Sequence, residues 1–258
     1  MNTHTRSNTR MPNCRLCSLA PLCFCEPPQT QETDGRTHLV RHRILPAGRH
    51  LLHAGAGTDS LFALREGSAR SYEVAHDGDE RTIEYYLPGE PIIANGQAAV
   101  ARNDHVVALE PVAYCELSLS QLKPMMTKHP DVSLALIGLL ADAVTTTRHF
   151  FGAIKRTDAR SSVTAFLVDT IERRRIRGLA YRRFRLSLRR REIASLLGVT
   201  TETVSRALHD LKANNLIEIS GKWLQLVDFD GLREAADVRQ QTITASTVKT
   251  KRNSRLKT

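Results

Sequence analysis

Closely spaced turn residues constrain the possible folds of this chain more than any other feature of its sequence. Between about residues 38 and 117, short apolar runs alternate with groups rich in Gly, Pro, Asn and Asp. Gly supplies positive φ, and Asn or Asp bonds its own backbone, so each group predicts a turn between two strands. Examples are Pro46-Ala47-Gly48, Asp77-Gly78-Asp79 and Pro88-Gly89-Glu90. Strands this short, at this even spacing, predict a β-sandwich or jelly roll.

Helical signals replace this pattern from about Ser120 onward. Pro130 stands at a first-turn position and predicts a long helix that ends near Lys155. Asp158 is placed to cap a further helix that Gly178 ends. The chain of 258 residues therefore holds two modest domains joined by a long helix, and the fold class is α+β.

The long helix carries an apolar seam whose residues alternate in steps of four and three. This spacing is typical of a coiled-coil face, and it predicts a weak dimer interface. A helix that packs only on its own domain gives the same stripe. The helix also has apolar residues off the seam. One of its apolar faces can therefore cover the sandwich while the other contacts a second copy of the chain. The predicted dimerisation residues are Val132, Leu136, Leu139, Ala143, Thr146 and Phe150.

A short helix, a glycine turn and a second helix follow Arg189. Gly198 makes the turn, Thr200 can cap the second helix, and the polar residues of that helix share one face. This arrangement is typical of a recognition helix in a major groove, although an ordinary exposed face has the same composition. The candidate DNA-contacting residues are Arg189, Thr201, Glu202, Ser205 and Arg206.

Two features around this motif favour the DNA interpretation. Apolar runs on both sides of Ser220-Gly221-Lys222 predict a β-hairpin, the wing of a winged helix. The chain has 37 Lys and Arg against 27 Asp and Glu, a net charge of +10, which favours an anionic partner. An arginine-rich run over residues 172–191 is either a solvated face or a further contact with phosphate.

Four cysteines have the spacing of a soft-metal site. Cys14, Cys17 and Cys23 lie in a polar leader, and Cys115 lies in an apolar run far downstream. Three closely spaced thiolates can face one centre while a distant strand supplies a fourth. Spacing alone leaves an iron–sulfur cluster, a zinc ion and unrelated thiols open. Cys25 is the fifth cysteine and lies outside this pattern.

The jelly roll, the long helix and the winged helix-turn-helix together resemble the CRP/FNR superfamily of bacterial transcription regulators. The resemblance covers about residues 14–235 and is strongest to the FNR branch, the fumarate and nitrate reduction regulators that sense oxygen. The ligand spacing and the Glu-x-x-Ser-Arg reading pattern of that branch are matched at Cys14, Cys17, Cys23, Cys115, Glu202, Ser205 and Arg206. The phosphate-binding cassette of the cyclic-nucleotide branch is not matched after Pro88-Gly89-Glu90, where Arg102 precedes Asn103.

The resemblance implies a mechanism and a set of partners. A [4Fe–4S] cluster on the four matched cysteines would assemble without oxygen and favour a homodimer. The dimer would bind double-stranded DNA at a palindromic TTGAT-type promoter site. Oxygen would degrade the cluster and weaken the dimer. Bound near promoters, the regulator would activate or repress through contacts with RNA polymerase.

Competing interpretations keep the same architecture but give the sensor domain a different ligand or signal. A zinc ion or a thiol redox switch could replace the cluster, or a cyclic nucleotide could bind the jelly roll.

The histidines are scattered and no catalytic constellation stands out, so the chain is not expected to be an enzyme. Residues 1–10 lack a signal-peptide core, and no stretch is expected to span a membrane, so the expected location is the cytoplasm. The expected units are a leader and linker (1–37), a sensor (38–128), a dimerisation helix (129–157), a winged helix-turn-helix (158–237) and a basic disordered tail (238–258).

Overall fold

The computed structural model describes residues 40–95, 103–155 and 158–236 together with Cys17, Leu19 and Leu22 of the leader. Most of the leader and the whole of the expected tail lie outside the described residues. The expected disorder of the tail therefore stays a prediction.

Eight strands form the predicted sandwich, in two four-stranded antiparallel sheets. The first sheet has the order β1-β8-β3-β6 and the second has the order β2-β7-β4-β5. Apart from the β4–β5 hairpin, neighbouring strands are distant in sequence, which is the strand order of a jelly roll, and the predicted fold class is confirmed. The strands are β1 Val40–Leu45, β2 His50–Leu52, β3 Asp59–Glu66, β4 Ala69–Val74, β5 Glu80–Tyr86, β6 Pro91–Asn95, β7 His105–Ala108 and β8 Val112–Ser118.

Side chains that alternate along these strands fill the space between the sheets. Phe62 and Leu64 from the first sheet meet Val106 and Ala108 from the second, and all four are buried. The outer face of the first sheet is also buried, at Leu61, Ala63 and Leu117, because two helices cover it. These helices are α1 Leu119–Lys128 and α2 Pro130–Lys155.

A third helix, α3 Ala159–Ile176, leads into the second domain. The Asp158 side chain accepts hydrogen bonds from the backbone N–H groups of Arg160 and Ser161 at 2.8 and 3.1 Å, as the sequence predicted. Beyond it lie β9 Arg183–Arg185, α4 Arg190–Leu197, α5 Thr201–Ala213, β10 Ile217–Ser220, β11 Trp223–Leu226 and α6 Phe229–Ala235. The predicted wing is the antiparallel pair β10 and β11. Strand β9, which extends the wing, and helix α6 were not predicted.

One carboxylate joins the sandwich to α3. Glu90 accepts hydrogen bonds from Arg173 Nε at 2.8 Å and Nη2 at 2.6 Å, and Arg177 Nη2 lies 3.3 Å away. The backbone N–H of Leu87 also donates to Glu90, at 2.8 Å. Burial alone raises the pKa of Glu90, but the two arginines and these hydrogen bonds hold the net pKa below its ordinary value. Part of the arginine-rich run is therefore a contact between domains, and neither a solvated face nor a phosphate contact.

The long helix α2 has two apolar faces, and part of the predicted dimer seam packs within the chain itself. Val132 and Leu139 are buried in the chain's own core, and Leu136 is partly buried against the same cluster. Farther along, Phe150 packs against the core of the second domain. The predicted dimer seam is therefore wrong at Val132 and Leu139, because those side chains already cover the sandwich. The seam runs on through Ala143, which is half-buried, and Thr146, which is exposed.

The apolar residues off that seam face solvent instead. Leu134 and Ile137 are 70% and 62% exposed, and Leu140 and Val144 follow on the same side. The stretch Pro130–Arg148 is little buried, and it is long and apolar enough to cross a membrane by length and composition alone. A helix that pairs with a second protein surface has the same composition, so this finding alone is weak evidence for a membrane.

Candidate DNA-binding and sensor sites

Helix α5 presents a polar face beside a buried one. Val204, Ala207, Leu208 and Leu211 are buried against the rest of the domain. Thr200 caps the helix, since its hydroxyl oxygen accepts from the backbone N–H of Thr203 at 3.2 Å. Residues three or four positions apart share one face of a helix, so the polar residues of α5 lie on the face opposite the buried one. Thr201, Glu202 and Arg206 are exposed and Ser205 is half-buried.

Helix α4 and its turn hold α5 in place. The carboxylate of Glu192 accepts from the backbone N–H of Arg189 at 2.6 Å, which caps α4, while the Arg189 side chain stays exposed. Gly198 ends the helix in the left-handed region at φ 67°, a conformation that favours glycine. The two helices thus meet across one tight turn, and the first residues of α5 lie at the surface as in a helix-turn-helix.

Exposed basic side chains surround this polar face. They come from the start of α4, from α5 and from the tip of the wing, so they form a cationic rim on several elements of one domain. Such a rim suits the negatively charged backbone of DNA. The rim residues are Arg189, Arg190, Arg191, Arg206, Lys212 and Lys222.

The inner side of α4 docks on the sensor sheet. The backbone N–H of Thr82 on β5 donates to the Ser195 hydroxyl at 2.9 Å. Arg70 on β4 lies 3.5 Å from the carboxylate of Glu192. The sensor domain therefore contacts the first helix of the helix-turn-helix directly, while the polar face of α5 remains open.

Cys115 lies on β8, buried and paired across strands with His42 on β1. Its Sγ is 3.4 Å from His42 Nδ1, and Arg65 Nη1 is 3.3 Å from the same nitrogen. A guanidinium only donates, so Nδ1 is the acceptor toward Arg65, and the Cys115 thiol lies within hydrogen-bond distance of the same nitrogen. Burial, and then the charge of Arg65, lowers the pKa of His42, which keeps its ring neutral. His42 was not predicted from the sequence, because the strand register brings it beside Cys115.

The described leader residues lie on the same face of the sheet as Cys115. Leu19 and Leu22 are buried in the cluster that contains Ala63, and Ala63 is the direct cross-strand partner of Cys115. Cys17 packs against that cluster. Two of the four predicted ligands, 98 residues apart in the printed numbering, thus share one surface of the sandwich. Cys14, Cys23 and Cys25 lie outside the described residues.

Glu90 also bears on the cyclic-nucleotide alternative. It is the glutamate of the Gly-Glu pair where that branch begins its phosphate cassette, and here it is buried against Arg173 and Arg177. Its oxygens are therefore committed to a contact between domains. Arg102 lies outside the described residues.

Comparisons with known proteins agree with this architecture. Residues 42–129 match the cyclic nucleotide-binding domain and residues 162–235 match the Crp-like helix-turn-helix domain. The transcriptional activator protein Anr of Pseudomonas protegens is 30% identical over 217 residues, which are 84% of this chain and 89% of that protein. The fumarate and nitrate reduction regulatory protein of Yersinia pestis is 26% identical over 225 residues, 87% of this chain and 90% of that protein. The chain belongs to the FNR branch of the CRP/FNR superfamily.

The solved structure of FixK2 from Bradyrhizobium japonicum has the same fold. It superimposes with a TM-score of 0.66 at 21% identity and covers 76% of this chain and 96% of that chain. The family predicted from the sequence is confirmed by the relatives and the family models. This FNR-branch protein is a DNA-binding transcription regulator.

Proposed function

We propose that this regulator senses oxygen through a [4Fe–4S] cluster held by Cys14, Cys17, Cys23 and Cys115. In the absence of oxygen it binds palindromic TTGAT-type promoter sites as a dimer in the cytoplasm. There it activates or represses transcription through contacts with RNA polymerase. The observation that carries the proposal is the burial of leader residues on the sheet face that bears Cys115.

The donor set suits such a cluster. Thiolates are the ligands of [4Fe–4S] clusters, and Cys17 and Cys115 lie on one surface. When bound, the cluster supplies an oxygen-labile link between the leader and the sandwich. His42 Nδ1 lies within hydrogen-bond distance of Cys115 Sγ, and the nearby charge of Arg65 favours a thiolate at Cys115. Zinc would use the same thiolates, so the metal itself has to be measured.

The leader is placed to influence α2. Leu19 and Leu22 pack in one cluster with Val132 and Leu139, which lie on the inner face of that helix. When the leader is held in place, this cluster fixes the position of α2 on the sandwich. The outer face, with Ile137 and Val144, then lies in a defined position for a second copy.

The polar face of α5 is the proposed reading surface. Arg206 can form a bidentate contact with guanine, Glu202 can accept from cytosine, and Ser205 can contact either strand. Arg189 and Thr201 lie near the start of the two helices, where phosphate contacts are expected. A dimer sets two such faces about one DNA turn apart, which suits a palindrome.

Iron content in single cysteine variants tests the sensor. Cys14→Ser, Cys17→Ser, Cys23→Ser and Cys115→Ser should each lose the cluster and the anaerobic binding to a TTGAT site. Cys25→Ser is the matched control and should keep both. A full iron and sulfide content in Cys115→Ser would remove the link between leader and sandwich. Stoichiometric zinc in place of iron in anaerobic protein would support the zinc alternative.

Sedimentation of two helix variants tests the dimer. Ile137→Glu places a charge on the outer apolar face of α2 and should give a monomer in anaerobic protein. Thr146→Glu is the matched control, since Thr146 is exposed on the opposite side of the same helix. A dimer that survives Ile137→Glu but not Thr146→Glu would return the interface to the seam predicted from the sequence.

A further inference from the structure

Three histidines that are separated in the sequence meet on the outer face of the second sheet. His50 lies on β2, His53 follows that strand, and His105 begins β7. His105 points outward because its neighbour Val106 lies in the core between the sheets. The ring centroids of His50 and His53 are 4.5 Å apart, and that of His105 lies 5.6 and 5.8 Å from them.

We propose that His50, His53 and His105 bind one divalent first-row transition-metal ion, such as Ni²⁺ or Zn²⁺. Imidazole is a preferred ligand of these ions, and one ring nitrogen from each residue lies within 4.8 Å of the others. Metal–nitrogen bonds of about 2.1 Å in tetrahedral geometry set the nitrogens about 3.4 Å apart. Each pair therefore has to approach by about 1.4 Å or less. His53 is exposed and lies outside the strands, so its side chain can make that adjustment.

Surrounding groups orient two of the three rings. His50 Nε2 is 2.8 Å from the hydroxyl of Tyr72, and a hydroxyl that accepts from this nitrogen leaves Nδ1 for the metal. Tyr72 also stacks on His105, with ring centroids 5.1 Å apart and planes 22° from parallel. The backbone N–H of Ala54 donates to His105 Nδ1 at 3.3 Å. Metal binding at His105 displaces this one long hydrogen bond.

The site lies next to the contact between the two domains. The Arg70 guanidinium is 4.4 Å from the ring centroid of Tyr72, and its Nε lies 3.5 Å from Glu192 on α4. Tyr72 and Arg70 thus connect the histidine cluster to the helix-turn-helix. The site shares no ligand with the cysteines, so its existence does not depend on the proposed oxygen response.

Nickel binding to the full-length chain and two variants tests the proposal. His53→Asn removes an exposed ligand, so the variant should fold as the parent chain does without metal. His76→Asn is the matched control, because His76 is exposed in the β4–β5 turn, outside the cluster. Any metal held by the cysteines is common to all three proteins. Bound Ni²⁺ is measured by equilibrium dialysis, and thermal unfolding is followed with and without the ion.

The parent and His76→Asn should each bind one Ni²⁺ per chain more than His53→Asn. Their melting temperature should rise with Ni²⁺ while that of His53→Asn stays constant. Mg²⁺, which prefers oxygen ligands, should change none of the three. His50→Asn should repeat the loss seen for His53→Asn. Equal Ni²⁺ content in the parent and both ligand variants, or an equal loss in His76→Asn, would overturn the site.

Discussion

Arg173→Ala removes the guanidinium that neutralises Glu90 where the sensor meets α3. The Glu90 side chain is 8% exposed and that of Arg173 is 14% exposed, so solvent screens this pair only weakly. The substitution deletes the hydrogen bonds at 2.8 and 2.6 Å to the carboxylate and the 2.6 Å hydrogen bond to the backbone oxygen of Tyr85. It leaves a buried carboxylate with Arg177, 3.3 Å away, as its remaining cation.

The expected loss is about 3 kcal/mol in the free energy of unfolding. Removing one partner of a buried ion pair costs about 3–5 kcal/mol, because the other charge stays buried. The lower end applies here because Arg177 still compensates part of the charge of Glu90. Glu90→Gln combined with Arg173→Ala should cost less than the sum of the two single changes, since the double variant no longer buries the charge of Glu90 without Arg173. The 3.1 Å contact of Arg173 with Asp169 is lost in both the single Arg173→Ala variant and the double variant.

Urea unfolding at neutral pH measures these values. The fluorescence of Trp223, the chain's single tryptophan, reports on the DNA-binding domain, and far-UV circular dichroism reports on the whole chain. Coincident transitions are needed before one free energy is assigned to both domains. A loss below about 1 kcal/mol in Arg173→Ala, or strict additivity in the double variant, would refute the argument that Arg173 neutralises a buried charge.

The pH dependence of unfolding gives an independent check on Glu90. Its folded pKa lies below the ordinary value of 4.5, because the arginines outweigh the effect of burial. The unfolded state therefore binds the proton more readily, and the stabilisation is fully present above that value. It is lost as the pH falls through the lower folded pKa. Glu90→Gln should flatten this part of the acid unfolding profile, and an unchanged profile would contradict the assignment.

Three further substitutions test local features. Arg206→Ala should weaken binding to a TTGAT site by about 1–3 kcal/mol and relax specificity there, whereas an equal loss on scrambled DNA would limit Arg206 to phosphate contact. Gly67→Ala should cost more than about 2 kcal/mol in thermal unfolding, because φ is +80° and the new Cβ lies 2.5 Å from the Pro111 oxygen. Gly48→Ala, at φ +75° with nothing within 4 Å, is its control and should cost about 1 kcal/mol. Asp158→Ala should cost about 1 kcal/mol in urea unfolding by removing the cap of α3.

The elements of this fold were predictable where local chemistry specifies them. Turn residues mark the ends of the strands, Asp158 and Thr200 cap their helices, and Gly198 ends α4 as expected. Each of these effects acts within a few residues along the chain, so the sequence pattern contains the whole cause. The jelly-roll strand order has no such local cause, and it was not predicted.

The inner face of α2 could not be chosen from periodicity. Both faces of its first half are apolar, and the seam through Val132 and Leu139 has the more regular spacing. Which face turns inward depends on α1, β3, β8 and the leader, whose side chains complete the buried cluster. Similarly, the contacts of Cys115 with His42 and of Glu90 with Arg173 join residues 73 and 83 positions apart. No spacing rule within one element relates such pairs.

The cluster that buries Leu19 and Leu22 explains how a short leader can matter to a distant helix. Burial of a leucine side chain stabilises the fold by about 1.5–3 kcal/mol relative to exposure. Release of the leader would therefore cost several kcal/mol, because apolar surface becomes exposed to water. That surface includes the inner side of α2 at Val132 and Leu139. A weak dimer formed through the outer side needs α2 to be rigid, because each mobile side chain or turn ordered on association reduces affinity.

Leu22→Ala should therefore weaken the anaerobic dimer without touching a cysteine or the exposed face of α2. Iron content should stay full in this variant, and sedimentation should show more monomer than in the parent chain. An unchanged dimer would mean that the leader acts on DNA binding by a route that does not pass through α2.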